Sequence, residues 1–338
     1  MILVTGGTGF LGAHLLYHLS LQETEITAIY RHKSKLEEVK RVFHYYTPNS
    51  DLNYDRIMWV HADITVSEEL INVFKNIDVV YHCAALVSFS SSDYQEMRKI
   101  NIEGTRNIVN ISIQNKVKKL CFVSSIATLE YTYGHDFIDE QCFWTTNKNK
   151  SDYAITKRAA EMEVWRGSQE GVDCIVVNPG VIIGPGFWQN GTGNLFAKIK
   201  AGMKYYSTGC TGFVDVRDVS NAMIALTKSG IVNEGYVLVA ENRSFKDLFK
   251  LISVAVKAKE PTKEIGKRSL EIAWRLAWLK SLFTNSRPAL TKSSARAGYG
   301  EKKYSSQKIK HSMNYTFLPL EETIAFTGKL FLEDHKLS

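Results

Sequence analysis

The chain has few cysteines, and they are scattered. Cys83, Cys121, Cys142, Cys174 and Cys210 include no C-x-x-C pair. An odd count without such spacing speaks against a disulfide framework and against a structural zinc site, so no metal is expected. Cys83, Cys121 and Cys174 sit in apolar runs and read as small core residues. No apolar stretch approaches the roughly 18 residues that a membrane span needs. Met1-Ile2-Leu3-Val4-Thr5 runs straight into a glycine turn, without a basic n-region or a cleavage site, so the expectation is a cytoplasmic protein. Internal repeats and low-complexity linkers are also missing.

Charge is present but uneven. The whole chain carries +7, yet residues 257–310 hold 14 Lys and Arg against 4 Asp and Glu, a net of +10, which leaves about −3 elsewhere. Such a segment suits an anionic substrate, an anionic surface, or plain solvation. No nucleic-acid-binding motif accompanies it, so no nucleic-acid partner is expected.

The first 180 residues alternate short apolar runs with amphipathic stretches. Strands are expected at Ile2–Thr5, Glu25–Arg31, Arg56–His61, Asp78–Cys83, Lys119–Ser124 and Asp173–Asn178. Helices are expected between them, at Phe10–Ser20, Ser67–Phe74, Tyr94–Gln114 and Tyr153–Gly167. Strands that are apolar almost throughout are covered on both faces, and strand–helix alternation builds right-handed crossovers. The fold class is therefore α/β: a Rossmann, doubly wound parallel sheet. Beyond Pro179 the rhythm breaks into a glycine-rich stretch. Helices then follow at Leu195–Gly202, Val216–Ser229, Ser244–Lys257, Ser269–Phe283 and Leu320–Leu332, with a strand at Gly235–Val239. Residues 1–180 read as a nucleotide-binding domain, with 212–230 returning to it. Residues 181–338 read as a mainly helical, substrate-binding and lid region.

Gly6-Gly7-Thr8-Gly9-Phe10-Leu11-Gly12 joins the first strand to the first helix. Glycine permits the sharp turn and a close approach of backbone to a pyrophosphate, and the helix N-terminus aims its amides at the phosphates. Glycine spacing alone is weak evidence; strand, turn and helix in this order supply the context that confirms a dinucleotide site. The residue after the second strand selects the cofactor. An NAD site places Asp or Glu there for the ribose 2′-hydroxyl. This chain has Arg31, followed by Ser34 and Lys35, which suits a 2′-phosphate. NADP(H) is favoured, with NAD(H) the alternative. Asp63 and Ile64, after the third strand, suit the adenine; a helix N-cap is the competing role for Asp63.

Tyr153 and Lys157 lie four apart, on one face of a helix. A neighbouring ammonium lowers a phenol pKa from about 10, which would fit Tyr153 to exchange a proton with a carbonyl or alcohol oxygen. Ser125, at the end of the fifth strand, is the hydroxyl expected to hold that oxygen, with Ser124 the fallback. Pairs with this spacing also occur on ordinary helices, so the partners matter.

Together these features resemble the extended short-chain dehydrogenase/reductase family. The shared segments are TGGTGFLG at Thr5–Gly12, HADI at His61–Ile64, HCAA at His82–Ala85, N-x-x-G-T at Asn101–Thr105, VSS at Val123–Ser125, YAITK at Tyr153–Lys157 and NPG at Asn178–Gly180. Within it the chain is most similar to dihydroflavonol-4-reductase-like and 3β-hydroxysteroid-dehydrogenase-like members. The resemblance implies Ser125, Tyr153 and Lys157 as catalytic residues and Lys157 also as a cofactor ligand. It places Ala84 and Ala85 along the cofactor, Pro179 and Val181 beside the nicotinamide, and gives Asn101 a structural role. It also suggests a homodimer. Ile126-Ala127 follow Ser125 where sugar-nucleotide dehydratases of the family carry Asp-Glu, so dehydratase chemistry is disfavoured. The expectation is NADP(H)-dependent reduction of a ketone or aldehyde, or the reverse oxidation of an alcohol. A nucleotide-sugar epimerase or 4-ketoreductase is the alternative, and a non-catalytic NADP-binding redox sensor the alternative of another class.

Ile126, Phe187 and Phe213, with Trp188 and Phe196, are candidates for the substrate pocket. Ser269–Lys280 reads as an amphipathic helix with Ala273, Trp274, Ala277 and Trp278 on one face. A lid packed on the domain is favoured there over peripheral membrane contact.

Overall fold

Twelve strands form three sheets in the computed structural model, which describes residues 1–23, 25–47, 51–142, 144, 150–284 and 290–336. They are β1 (Ile2–Thr5), β2 (Ile26–Tyr30), β3 (Ile57–His61), β4 (Val79–His82), β5 (Lys119–Val123), β6 (Asp173–Pro179), β7 (Val181–Ile183), β8 (Tyr205–Tyr206), β9 (Cys210–Asp215), β10 (Glu234–Leu238), β11 (Glu241–Ser244) and β12 (Lys263–Glu264). Seven of them make one parallel sheet in the order β10-β6-β5-β4-β1-β2-β3. The register runs Leu3 beside Val80, Val80 beside Leu120, and Leu120 beside Cys174.

Both faces of this sheet are covered, which is why its strands are apolar along their whole length. On one face Val4, Tyr81, Cys121 and Ile175 pack against Leu15, Leu16, Val219 and Met223 of the helices Phe10–Ser20 and Val216–Lys228. On the other, Leu3, Val80, Leu120 and Val176 meet Ile108, Ala160 and Val164. A third core, around Trp188, Phe196, Phe213, Leu248 and Phe331, fills the C-terminal part beside the small sheet β11-β9-β7.

Two local differences from the expected pattern have physical causes. The helix expected over Tyr94–Gln114 is three pieces: α-helical Tyr94–Met97, π-helical Arg98–Glu103 and α-helical Gly104–Gln114. The widened turn lets the Asn101 side chain accept from Leu86 N at 2.7 Å and donate to Leu86 O at 3.0 Å, tying down the loop after β4. No span was assigned to the helix Leu36–Tyr46, whose start is crowded with charged residues. Val39, Val42 and Phe43 nevertheless give it a buried stripe.

Candidate active site

Because every strand of the large sheet runs the same way, all of its carboxyl ends lie along one edge, where ligands of such sheets bind. The residues after those ends follow in spatial order: Pro179 ends β6, Ser125 follows β5, Ala84 and Ala85 follow β4, the glycine loop follows β1, Arg31 follows β2 and Asp63 follows β3. At about 4.8 Å per strand, the step from β5 to β2 spans about 14 Å.

The loop fits a dinucleotide. Gly6 has φ +70° and its amide region lies against the chain after β4; a Cβ there would meet Ala84 N at 2.5 Å. A Cβ on Gly12 would meet Gly6 O at 2.1 Å. Gly9 N bonds Gly6 O at 2.9 Å, closing the turn. The helix Phe10–Ser20 begins at Gly9 with no side-chain cap and no acid in its first turn, so nothing at that end competes for an anion. Thr8 and Phe10 remain partly exposed, while Gly7, Leu11 and Gly12 are buried against the sheet.

Behind the loop, Thr5 Oγ1 contacts His82 Nδ1 at 2.6 Å and Thr105 Oγ1 contacts His82 Nε2 at 2.9 Å. Burial, together with the charge of Lys157, lowers the His82 pKa to about 3, so this ring is a neutral strut between β1, β4 and the helix Gly104–Gln114. The HCAA segment marks His82 without showing this task.

At the carboxyl ends of β2 and β3 Arg31 and Asp63 face one another, Nη1 to Oδ2 at 3.7 Å, and both remain solvent-accessible. Asp63 Oδ1 accepts from Thr65 N at 2.8 Å and Thr65 Oγ1 at 2.9 Å. Burial pushes the Asp63 carboxyl up, but the Thr65 bonds and the Arg31 charge outweigh it, and the net shift is down. Asp63 is not the N-cap of the next helix, a role that falls to Val66. Ile64 packs under Gly104, and Lys35 pairs with Glu38 at 3.2 Å.

At the other end stand Tyr153 and Lys157, on the helix Asp152–Gln169, whose first turn is capped by Ser151. Lys157 Nζ donates to Val123 O at 2.6 Å and lies 4.3 Å from the Phe122 ring centre. Burial brings its pKa down from 10.5 to about 7, against the pull of Glu161 and Cys83. Tyr153 departs from expectation: burial raises its pKa, and the hydrogen bond with Ser125, not the ammonium, draws it back. The lysine was expected to lower the phenol, but its side chain turns to the strand carbonyl. Helical spacing fixes the shared face and leaves the rotamer open.

The two serines differ in their partners, and a buried carboxylate makes the difference. Ser124 Oγ donates to Glu161 Oε2 at 2.6 Å, which also receives Thr128 Oγ1 at 3.1 Å. Asn178 Nδ2 donates to Ser125 O at 3.2 Å and to Thr128 Oγ1 at 3.0 Å. Ser124 is thus engaged in the core, whereas Ser125 caps the turn Ile126–Thr128 and turns to Tyr153.

The NAD-binding family model described as Male sterility protein matches residues 4–237. The chain belongs to this family, and with it to the extended short-chain dehydrogenase/reductases. A putative dihydroflavonol 4-reductase of Synechocystis is 27% identical over 258 residues, covering 74% of this chain and 71% of its own length. Cinnamoyl-CoA reductase 1 of Arabidopsis thaliana is 26% identical, covering 59% and 60%. UDP-glucose 4-epimerase of Vibrio cholerae is 28% identical, covering 56% and 54%. Among solved structures, the terminal R domain of the myxalamid PKS-NRPS pathway superposes with TM-score 0.80 at 20% identity, covering 100% of this chain and 91% of its own. UDP-glucose 4-epimerase of Thermotoga maritima gives 0.76 at 19%, covering 99% of each. These likenesses show a shared fold.

In this short-chain dehydrogenase/reductase the expected aromatic pocket is largely core. Phe213 and Phe196 are fully buried, and Trp188 packs with them and donates Nε1 to Asp334 at 2.7 Å. Phe187 stands edge-on to Phe10 with ring centres 5.9 Å apart. Ile126 is buried with Leu129, Ile138 and Tyr304. Apolar residues after a glycine-rich stretch looked like a ligand wall, yet the C-terminal part needs a core of its own. The aromatic beside Tyr153 is Phe89, half exposed with ring centres 6.4 Å apart, and nothing in its spacing marked it. Val181 is half-buried, Ala85 is exposed, and Pro179 is buried.

Proposed function

We propose that the protein is an NADP(H)-dependent oxidoreductase that reduces a ketone or aldehyde, or oxidises the corresponding alcohol. The observation that carries this reading is the convergence of Ser125 and Tyr153, with Lys157 one turn away, at the β5–β6 end of the edge whose opposite end presents Arg31. Residues 1–180 hold the dinucleotide and 181–338 mainly the substrate. The Gly6–Gly12 loop and helix amides hold the pyrophosphate, Arg31 the 2′-phosphate, Ile64 the adenine, Ala84 and Ala85 the intervening stretch, and Pro179 and Val181 the nicotinamide end. The bound dinucleotide supplies the hydride. Ser125 holds the substrate oxygen, Tyr153 gives it a proton, and Lys157 contributes positive charge and a donor to the nicotinamide ribose. Phe89 forms an apolar wall. Two features favour reduction over epimerisation and dehydration: Arg31 stands where an NAD-holding acid would be, and Ile126-Ala127 offer no carboxylate beside Ser125. The Ser125–Tyr153–Lys157 set argues against a sensor that binds without turnover.

Cofactor choice is tested by titration. Arg31→Ala is expected to weaken NADPH binding about 10- to 100-fold, the worth of one charge-assisted contact, and to leave NADH binding nearly unchanged. Tighter binding of NADH than NADPH by the unaltered protein would refute the assignment.

The pH dependence follows from Lys157. With its pKa lowered to about 7, the ammonium is present below that pH and lost above it, whereas raised Tyr153 keeps its proton. For carbonyl reduction, kcat/KM is therefore expected to fall as pH rises through about 7, since that ratio reports the free enzyme. Stability moves oppositely: between about 7 and 10.5 the unfolded chain binds the extra proton, so raising pH stabilises the fold. A pH–rate profile flat from 6 to about 9 would remove Lys157's charge from the reaction.

A further inference from the structure

Among the described side chains of the helix Lys267–Thr284, one side packs on the protein. Leu270 is its buried anchor, lying against Gly298, and Glu271 accepts from Trp274 at 3.0 Å and from Tyr299 at 2.9 Å. Ala273, Trp274 and Ala277, assigned from sequence to a packed lid face, are half-buried on this side. Trp278, expected with them, is 53% exposed.

The opposite side carries Ile272, Leu276 and Leu279, exposed by 60%, 61% and 46%. Their spacing of four and three residues makes a continuous stripe. Arg268 is exposed on the same side, and Arg275, its side chain 58% exposed, pairs with Glu271 at 2.7 Å. Over its length the helix has Lys267, Arg268, Arg275 and Lys280 against a single acid. That acid, Glu271, is held by Trp274, Tyr299 and Arg275. No described helix is long and apolar enough to cross a membrane.

We infer that this helix docks the protein on an anionic lipid surface, with Ile272, Leu276 and Leu279 entering the boundary between headgroups and acyl chains. Arg268 then reaches lipid phosphates while its stem covers apolar surface, and Trp278 sits at the headgroup level. Charge decides the occupant. A second copy of this chain would bring an equally positive face to the contact, which like-charge repulsion opposes, whereas an anionic bilayer supplies both hydrocarbon and the opposite sign. This reading does not depend on the reaction proposed above, since none of these residues belongs to the site around Tyr153.

The test is sedimentation of the full chain with vesicles of phosphatidylcholine alone and of phosphatidylcholine mixed with phosphatidylglycerol. Binding is expected to the anionic vesicles only, to weaken with added salt, and to shift Trp emission to the blue in the unaltered protein but not in Trp278→Phe. Leu276→Glu and Arg268→Glu should each weaken partitioning about tenfold or more, with dinucleotide binding and melting temperature as in the parent. Equal binding to both vesicle types, or none to the anionic ones, would overturn the inference. So would a concentration-dependent dimer abolished by Leu276→Glu, which would assign the stripe to a second copy.

Discussion

Tyr153→Phe is expected to lower kcat for carbonyl reduction by about 10²- to 10⁴-fold, the range that a positioned proton donor contributes. The substitution removes one oxygen and leaves the ring that neighbours Phe89 at 6.4 Å. Dinucleotide affinity and melting temperature should change little, because the glycine loop and Arg31 are far along the sheet edge and the side chain remains partly exposed. A raised phenol pKa means that Tyr153 carries its proton across the working range, so the loss should be visible at every pH where Lys157 is charged. The measurement is NADPH oxidation across a panel of ketones and aldehydes, with the variant as control. Equal turnover by parent and variant would take Tyr153 out of the chemistry.

Gly6→Ala carries the largest expected effect on stability. The residue sits at φ +70°, where an L side chain costs about 1–2 kcal/mol. Its new methyl would also lie 2.5 Å from Ala84 N and 2.7 Å from Cys83 C, and backbone there cannot swing aside. Overpacking of this kind adds about 1–3 kcal/mol. A combined loss of about 2–5 kcal/mol is expected in denaturant unfolding, together with loss of dinucleotide binding, since relief of the clash must displace the loop. Gly171→Ala is the matched control: its φ is +98°, but nothing lies within 4 Å of the added atom. It should show the conformational cost alone. Equal losses in the two variants would mean that the contact between Gly6 and the chain after β4 has no bearing on stability.

Much of this architecture was written in local pattern. The apolar runs Ile2–Thr5 and Lys119–Val123 and the turn at Gly6–Gly12 announce a buried parallel sheet because two-sided burial leaves no room for polar alternation. Tyr153 and Lys157 were legible because four-residue spacing fixes a shared helical face. What stayed hidden depends on long-range partners. The two serines are adjacent in sequence, and only Glu161, 37 positions from Ser124, shows which one is drawn into the core. The turn of Lys157 toward Val123 is a rotamer choice made by a strand carbonyl. The pairing of Arg31 with Asp63 joins the ends of two strands that are distant in the chain. Phe213 and Phe196 looked like pocket walls because an apolar ring reads the same whether it meets a ligand or another ring.

The spatial order of the strands has an evolutionary corollary. Under the function proposed here, the groups that recognise the tail of the dinucleotide follow β2 and those that handle the proton follow β5, three strand positions apart on one sheet. Changes separated by more than about 7–10 Å without shared partners generally combine additively. On that reading, selection could swap one phosphorylated carrier for its unphosphorylated counterpart at the end of β2 without retuning the reaction centre, and could diversify the reaction without relearning the carrier.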